Sequence, residues 1–140
     1  MVANKAGVHG IDIEQELSDR ISNVHGDLRH LQQVLVNLLN NAIDAVIARH
    51  GSSGGAIRIE SGPAENGQVE IKIQDNGSGI SSENLKKVFT PFFTTKPVGR
   101  GTGLGLSVCY GIIDKMGGSL SVASQENVGT TFTIRLPSVK

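Results

Sequence analysis

The 140-residue chain has no tryptophan, one tyrosine, one cysteine and four prolines. The lone Cys109 excludes an internal disulfide and points to a reducing, cytoplasmic setting. The four histidines are scattered without ligand spacing, which speaks against a structural zinc site. With 13 basic and 13 acidic side chains the formal charge is zero, so the electrostatic footprint of a general nucleic-acid binder is missing. No stretch approaches the roughly 18 consecutive apolar residues of a membrane span, and no apolar run near Met1 resembles a secretory signal. The length suits one domain with a sizeable core.

Glycine, by contrast, is abundant: 18 of 140 residues, nearly twice the usual ~7%. Aromatics make up only 4%, yet Phe89, Phe92 and Phe93 sit together. Residues 1–10 lack periodicity and are expected to be a disordered leader, with one domain over 11–140. Ile11, Ile13 and Leu17 alternate as in a half-buried strand, and a second short strand ends near Val24. Asp27 is placed to cap a long helix reaching about Arg49, with Leu28, Leu31, Leu35, Leu38, Leu39, Ala42, Ile43 and Val46 as its apolar stripe. Ile57 and Ile59 open a strand, residues 62–67 form a loop ending in the hairpin pair Asn66-Gly67, and Val69, Ile71 and Ile73 alternate up to Asp75. Ser81 or Ser82 caps a short helix to about Val88, and a loop pinned by Pro91 and Pro97 follows. Leu104, Val108, Ile112 and Met116 mark another helix, stopped by Gly117-Gly118. Leu120 and Val122 pair with Phe132, Ile134 and Leu136 in a closing hairpin. The expected fold is an α/β two-layer sandwich: a mixed sheet of about five strands with about three helices on one face.

Three segments carry chemistry. Asn37, Asn41 and Asp44 fall at i, i+4 and i+7 on the long helix, roughly opposite its apolar stripe. A solvated face explains them, but short amides also suit a fixed ligand or Mg²⁺. Asp75 shares the phase of the buried Val69, Ile71 and Ile73, and a buried carboxylate needs hydrogen-bond donors. Those donors are the following turn or a ligand amine, such as that of adenine. Gly99 to Gly105 holds four glycines in seven residues and runs into a helix. That suits either a hinge or a polyphosphate lying against free helix N–H groups. Its spacing is neither that of a Rossmann turn nor that of a Walker loop.

In order, these segments resemble the ATP-binding catalytic domain of sensor histidine kinases, in the wider group containing gyrase, Hsp90 and MutL. Gln33 to Ala42 looks like the N box, and Asp75-Asn76-Gly77-Ser78-Gly79-Ile80 like the first glycine box. Phe89-Thr90-Pro91-Phe92-Phe93 is similar to the F box, Gly101-Thr102-Gly103-Leu104-Gly105-Leu106 to the second glycine box, and Gly129-Thr130-Thr131-Phe132 to the closing G-T-x-F. The resemblance implies a Bergerat fold with a mobile ATP lid and Mg-ATP as cofactor. Asn41 would bind the metal. Asp75 would take the adenine amine, with Gly77, Gly79, Ile80 and Thr130 around it. Asp44 and Leu106 would help line the pocket, and Gly101, Thr102, Gly103, Leu104 and Gly105 would surround the phosphates. Phe89 and Phe93 would anchor a lid containing Thr94, Thr95, Lys96 and Arg100, the last two meeting phosphate.

Asn37 stands where the ATPase branches carry a water-activating Glu, and an amide has no useful basicity near neutral pH. That favours a kinase over a gyrase- or MutL-like ATPase. Asp44 departs from kinases with a basic residue there. None of His9, His25, His30 or His50 has the phosphoacceptor context. The acceptor would therefore lie on a helical hairpin absent from the chain, with a response-regulator receiver domain as the onward partner. The domain itself is expected to be monomeric, without nucleic-acid or membrane contact, and not to phosphorylate itself alone. Cys109 reads as a small core residue.

Overall fold

Apolar–polar alternation in the second half of the chain translates into a sheet with one covered face. The computed structural model describes residues 12–17, 23–24, 28–51, 54–64, 67–90 and 105–139. Its strands are β1 (Asp12–Leu17), β2 (Asn23–Val24), β3 (Ala56–Pro63), β4 (Gln68–Asp75), β5 (Ser119–Gln125) and β6 (Gly129–Val139). Its helices are α1 (Leu28–His50), α2 (Ser82–Leu85) and α3 (Gly105–Lys115). The order across the sheet is β1-β3-β4-β6; β5 also pairs with β6, whose last residues, Ser138 and Val139, pair with β2. Among the described strands, only β1 and β3 run parallel.

The register stacks side chains in transverse rows on the helix-covered face. Ile59, Ile73, Phe132 and Val122 form one row, and Ser61, Ile71, Ile134 and Leu120 another. At the end of the sheet reached by the carboxyl end of β4, the row turns polar beyond Ile57, with Asp75, Thr130 and Ser124 side by side. Against the apolar rows α1 sets Val34, Leu38, Ala42, Ile43 and Val46, and α3 sets Cys109 and Ile113, all buried. Each fully buried aliphatic side chain contributes about 1.5–3 kcal/mol, so these rows hold the sandwich together. The other sheet face carries ion pairs, Arg58 with Glu60 at 2.6 Å and Glu70 with Arg135 at 2.9 Å. Being exposed, such pairs keep that face wet more than they stabilise it.

Turn chemistry ends the helices. At α1 the Gly51 N–H donates to the Ile47 carbonyl at 2.9 Å with Gly51 at φ +68. At α3 the Gly118 N–H reaches the Ile113 carbonyl, and the Gly117 N–H reaches that of Asp114, each at 3.0 Å. With Gly117 at φ +80, this is a Schellman closure. Ser81 caps α2, its Oγ accepting the Asn84 N–H at 3.1 Å.

Among the described residues five strands make up the mixed sheet, as expected, and the short β2 ending at Val24 joins it at the end of β6. Other expectations need correction. The segment expected as loop from Gly62 is strand to Pro63, since Gly62 and Pro63 still pair with Glu70 and Val69. The short helix ends at Leu85 and continues as turns to Phe89. Val34, outside the expected stripe, is fully buried. The leader, the Asp27 cap, Asn66 and the Pro91–Pro97 loop lie outside the described residues.

Candidate functional site

Asp75 ends β4 in the buried phase, and its side chain is only 5% exposed. The Gly77 N–H donates to Oδ1 at 2.8 Å, and the backbone N–H of Thr130, its cross-strand neighbour, also bonds the carboxylate. Both donors are neutral. Burial outweighs them and lifts the pKa from 3.8 to about 6. A carboxylate left this costly, at the polar edge of an apolar sheet face, is suited to a ligand that brings a hydrogen-bond donor.

The turn after Asp75 is tied down from several sides. Asn76 Oδ1 accepts the Ala56 N–H at 2.8 Å, and its Nδ2 donates to the Gly54 carbonyl at 3.2 Å. The Ser78 N–H donates to the Ala45 carbonyl of α1 at 3.1 Å, and the Asn127 N–H to the Ser78 carbonyl at 2.7 Å. Gly77 passes so close to α1 that a Cβ would lie 2.6 Å from the Ala45 carbonyl carbon. Gly79, at φ +73, would drive a Cβ to 2.2 Å from the Gln125 carbonyl oxygen. These glycines thus serve helix and hairpin packing, as well as any clearance they give a ligand. The Ile80 N–H donates to Ser124 Oγ at 2.8 Å.

On α1, Asn37 and Asn41 lead by steps of four to Ala45, the residue on which Gly77 packs. Asn37, Asn41 and Asp44 are all half-buried. The expectation of a stripe facing away from the core is corrected for Asn37, because α3 packs alongside α1: Asn37 Nδ2 donates to the buried Cys109 Sγ at 3.6 Å. Burial pushes the Cys109 thiol up, against that hydrogen bond from Asn37. Gly105 and Leu106 open α3 and are half-buried. Phe89 packs against Tyr110 with the rings tilted by 39° and their centroids 5.1 Å apart, which joins the turn after α2 to α3. Phe93, Thr94, Thr95, Lys96, Arg100, Gly101, Thr102, Gly103 and Leu104 lie outside the described residues.

The structure therefore gathers Asp75, Gly77, Gly79, Ile80 and Thr130 in one place. Sequence reasoning missed three supporting residues. Arg49 Nη1 donates to the carbonyls of Asn76 and Val128, each at 3.1 Å, and His50 Nε2 meets the Asn76 carbonyl at 2.8 Å. Nothing in the local pattern separates these from ordinary cations at a helix end. Ser124 did leave a signal: it occupies the buried phase of β5 after Leu120 and Val122. No group of three or more His, Cys, Asp or Glu able to hold a metal occurs among the described residues. None of the described helices is long and apolar enough to cross a membrane.

A family model described as histidine kinase-, DNA gyrase B- and HSP90-like ATPase matches residues 26–140. The chain is 43% identical over 130 residues to the two-component sensor PprA of Pseudomonas aeruginosa, covering 92% of this chain and 14% of that protein. To the signal transduction histidine-protein kinase AtoS of Escherichia coli it is 42% identical over 138 residues, covering 98% and 22%. It thus spans less than a quarter of the length of either relative. The nucleotide-free catalytic domain of the histidine kinase ThkA superposes with a TM-score of 0.81 at 35% identity, covering 99% of this chain and 87% of that one.

Proposed function

Because the chain belongs to the histidine kinase-, DNA gyrase B- and HSP90-like ATPase family, as a catalytic domain of the two-component sensor kinase type, we propose that it binds Mg-ATP and offers the γ-phosphoryl group to a histidine. That histidine sits on a helical hairpin outside this chain, and the phosphoryl group passes on to a response-regulator receiver domain. The observation that carries the reading is the buried Asp75 carboxylate, bonded by two neutral N–H groups and lifted to about 6. The exocyclic amine of adenine is a further N–H donor of the kind such a carboxylate accepts.

The residues present fit the nucleotide and its metal. Asn41 and Asp44 place oxygen donors on the half-buried row of α1, and Mg²⁺ characteristically takes one or two protein oxygens together with phosphate oxygens. Bound there, the ion would supply positive charge against the triphosphate in a chain that has no net charge of its own. Lys96 and Arg100 are the further candidates for phosphate contact; Gly101 to Gly105 would surround the phosphates, and Phe89 and Phe93 would anchor the lid. Thr130 stands beside Asp75 for the base, and Gly77, Gly79 and Ile80 form the turn next to it. The chain's part is to hold and orient the nucleotide, since phosphoryl transfer asks for positioning and charge more than covalent help.

The amide of Asn37 supports transfer over hydrolysis. It donates to Cys109 Sγ and has no basicity with which to activate water. The test mixes the chain with a matching acceptor hairpin and γ-labelled ATP. Acid-labile phosphate should appear on the hairpin, only with Mg²⁺ present, and none on the chain alone. Self-labelling, or steady release of inorganic phosphate without the hairpin, would sink the reading.

A further inference from the structure

Ser124 is a polar residue where β5 buries its side chains, and its hydroxyl has three polar neighbours. The Ile80 nitrogen is 2.8 Å away, the Gly129 carbonyl oxygen 2.9 Å and Thr130 Oγ1 2.7 Å. A serine hydroxyl carries one proton and two lone pairs. The Gly129 carbonyl can only accept, so the Ser124 proton goes to it. The Ile80 N–H occupies one lone pair. Thr130 is left one role, to donate its own proton into the second lone pair of Ser124. The Thr130 hydroxyl then turns only lone pairs toward whatever lies beside Asp75.

We infer that Ser124 is a positioning residue that fixes the Thr130 hydroxyl as a pure hydrogen-bond acceptor, and through it sets which purine edges the site admits. The inference rests on the nucleotide reading above. With Asp75 ionised, the row offers two acceptors side by side. Adenine satisfies Asp75 with its amine, but the adjacent ring nitrogen is itself an acceptor and has no direct bond to make with Thr130. Hypoxanthine reverses both: it presents an oxygen where the amine was and an N–H at the ring nitrogen, which Thr130 can accept. Freed from Ser124, Thr130 can rotate and donate to the adenine ring nitrogen.

The experiment measures calorimetric affinities for ADP and IDP in the same chain and its variants. Ser124→Ala should raise the preference for ADP over IDP by about threefold to tenfold, the worth of one neutral hydrogen bond. Loss of the Ile80 anchor should weaken both nucleotides alike. Ser124→Cys, whose thiol is a poor acceptor, should shift the ratio the same way and serves if the alanine variant does not fold. Ser124→Thr keeps the oxygen and should restore the original ratio. In a Thr130→Val background, Ser124→Ala should leave the ratio unchanged. A purely structural Ser124 would lower both affinities in proportion, and that result, or a falling ratio, overturns the inference while leaving nucleotide binding intact. Failure of the unsubstituted chain to bind ADP would overturn the nucleotide reading and this one with it.

Discussion

Replacing Asp75 with Asn should strengthen the empty fold while ruining the site. Burial raises the carboxyl from 3.8 to about 6, a difference worth about 3 kcal/mol. The sign follows from proton uptake. Between those values the folded chain holds a proton that the unfolded chain has released, so stability falls as pH rises from about 4 to 6. Below about 4 the penalty is absent, and above about 6 it is fully present. An asparagine escapes it but cannot accept hydrogen bonds at both ends as a carboxylate does, which returns about 1 kcal/mol. The net expectation is that Asp75→Asn is more stable than the original by about 2 kcal/mol at pH 7, an advantage that vanishes near pH 4 and becomes a deficit of about 1 kcal/mol below it. Other carboxylates cancel in the comparison. Urea unfolding followed by far-ultraviolet circular dichroism at stepped pH is the assay, because the chain has no tryptophan to report. Adenine-nucleotide affinity should meanwhile fall at least about tenfold, since a hydrogen bond to a charged group is lost. A difference that does not change with pH, or a variant less stable at pH 7, would refute the argument that desolvation governs Asp75.

Gly79→Ala and Gly67→Ala make a matched pair, with φ +73 and +75. Only the former drives a Cβ into backbone, at the Gln125 carbonyl, so Gly67→Ala should cost about 1 kcal/mol and Gly79→Ala about twice that or more; equal thermal melts would contradict it. Arg49→Ala removes the guanidinium shared by the Asn76, Gly77 and Val128 carbonyls. Amide exchange should accelerate in residues 76–80 and 125–128 and global stability should drop about 1 kcal/mol; unchanged protection there would show that the clamp holds nothing.

What was legible in the sequence was whatever repeats with a short period. Val69, Ile71, Ile73 and Asp75 announced both β4 and its buried carboxylate, and Leu120 to Leu136 announced the closing hairpin. The helix stripe was read nearly in full, although Val34 was missed, because a single helical wheel does not show that α3 packs against α1 as well as the sheet. The same packing turned Asn37 toward Cys109, 72 positions away. Residues that act across such separations leave no local trace: Arg49 reaches Val128 over 79 positions. The resemblance places the turn glycines around the adenine, yet Gly77 and Gly79 are also demanded by Ala45 and Gln125. Composition could not distinguish the two uses.

The transverse row that seats Asp75 beside Thr130 makes the site a mark of strand alignment. Side chains alternate between faces, so a slip of one residue in β4 would bring Gln74 to the core side and send Asp75 to the outer one. A chain folded out of alignment would therefore be unable to bind. Any ligand that needs the Asp75 carboxylate on the core side selects the correct alignment, by RT ln(1 + [L]/Kd). Nucleotide would then act as an inspector of folding as well as a substrate, and an Asp75→Asn chain, however stable, would pass uninspected.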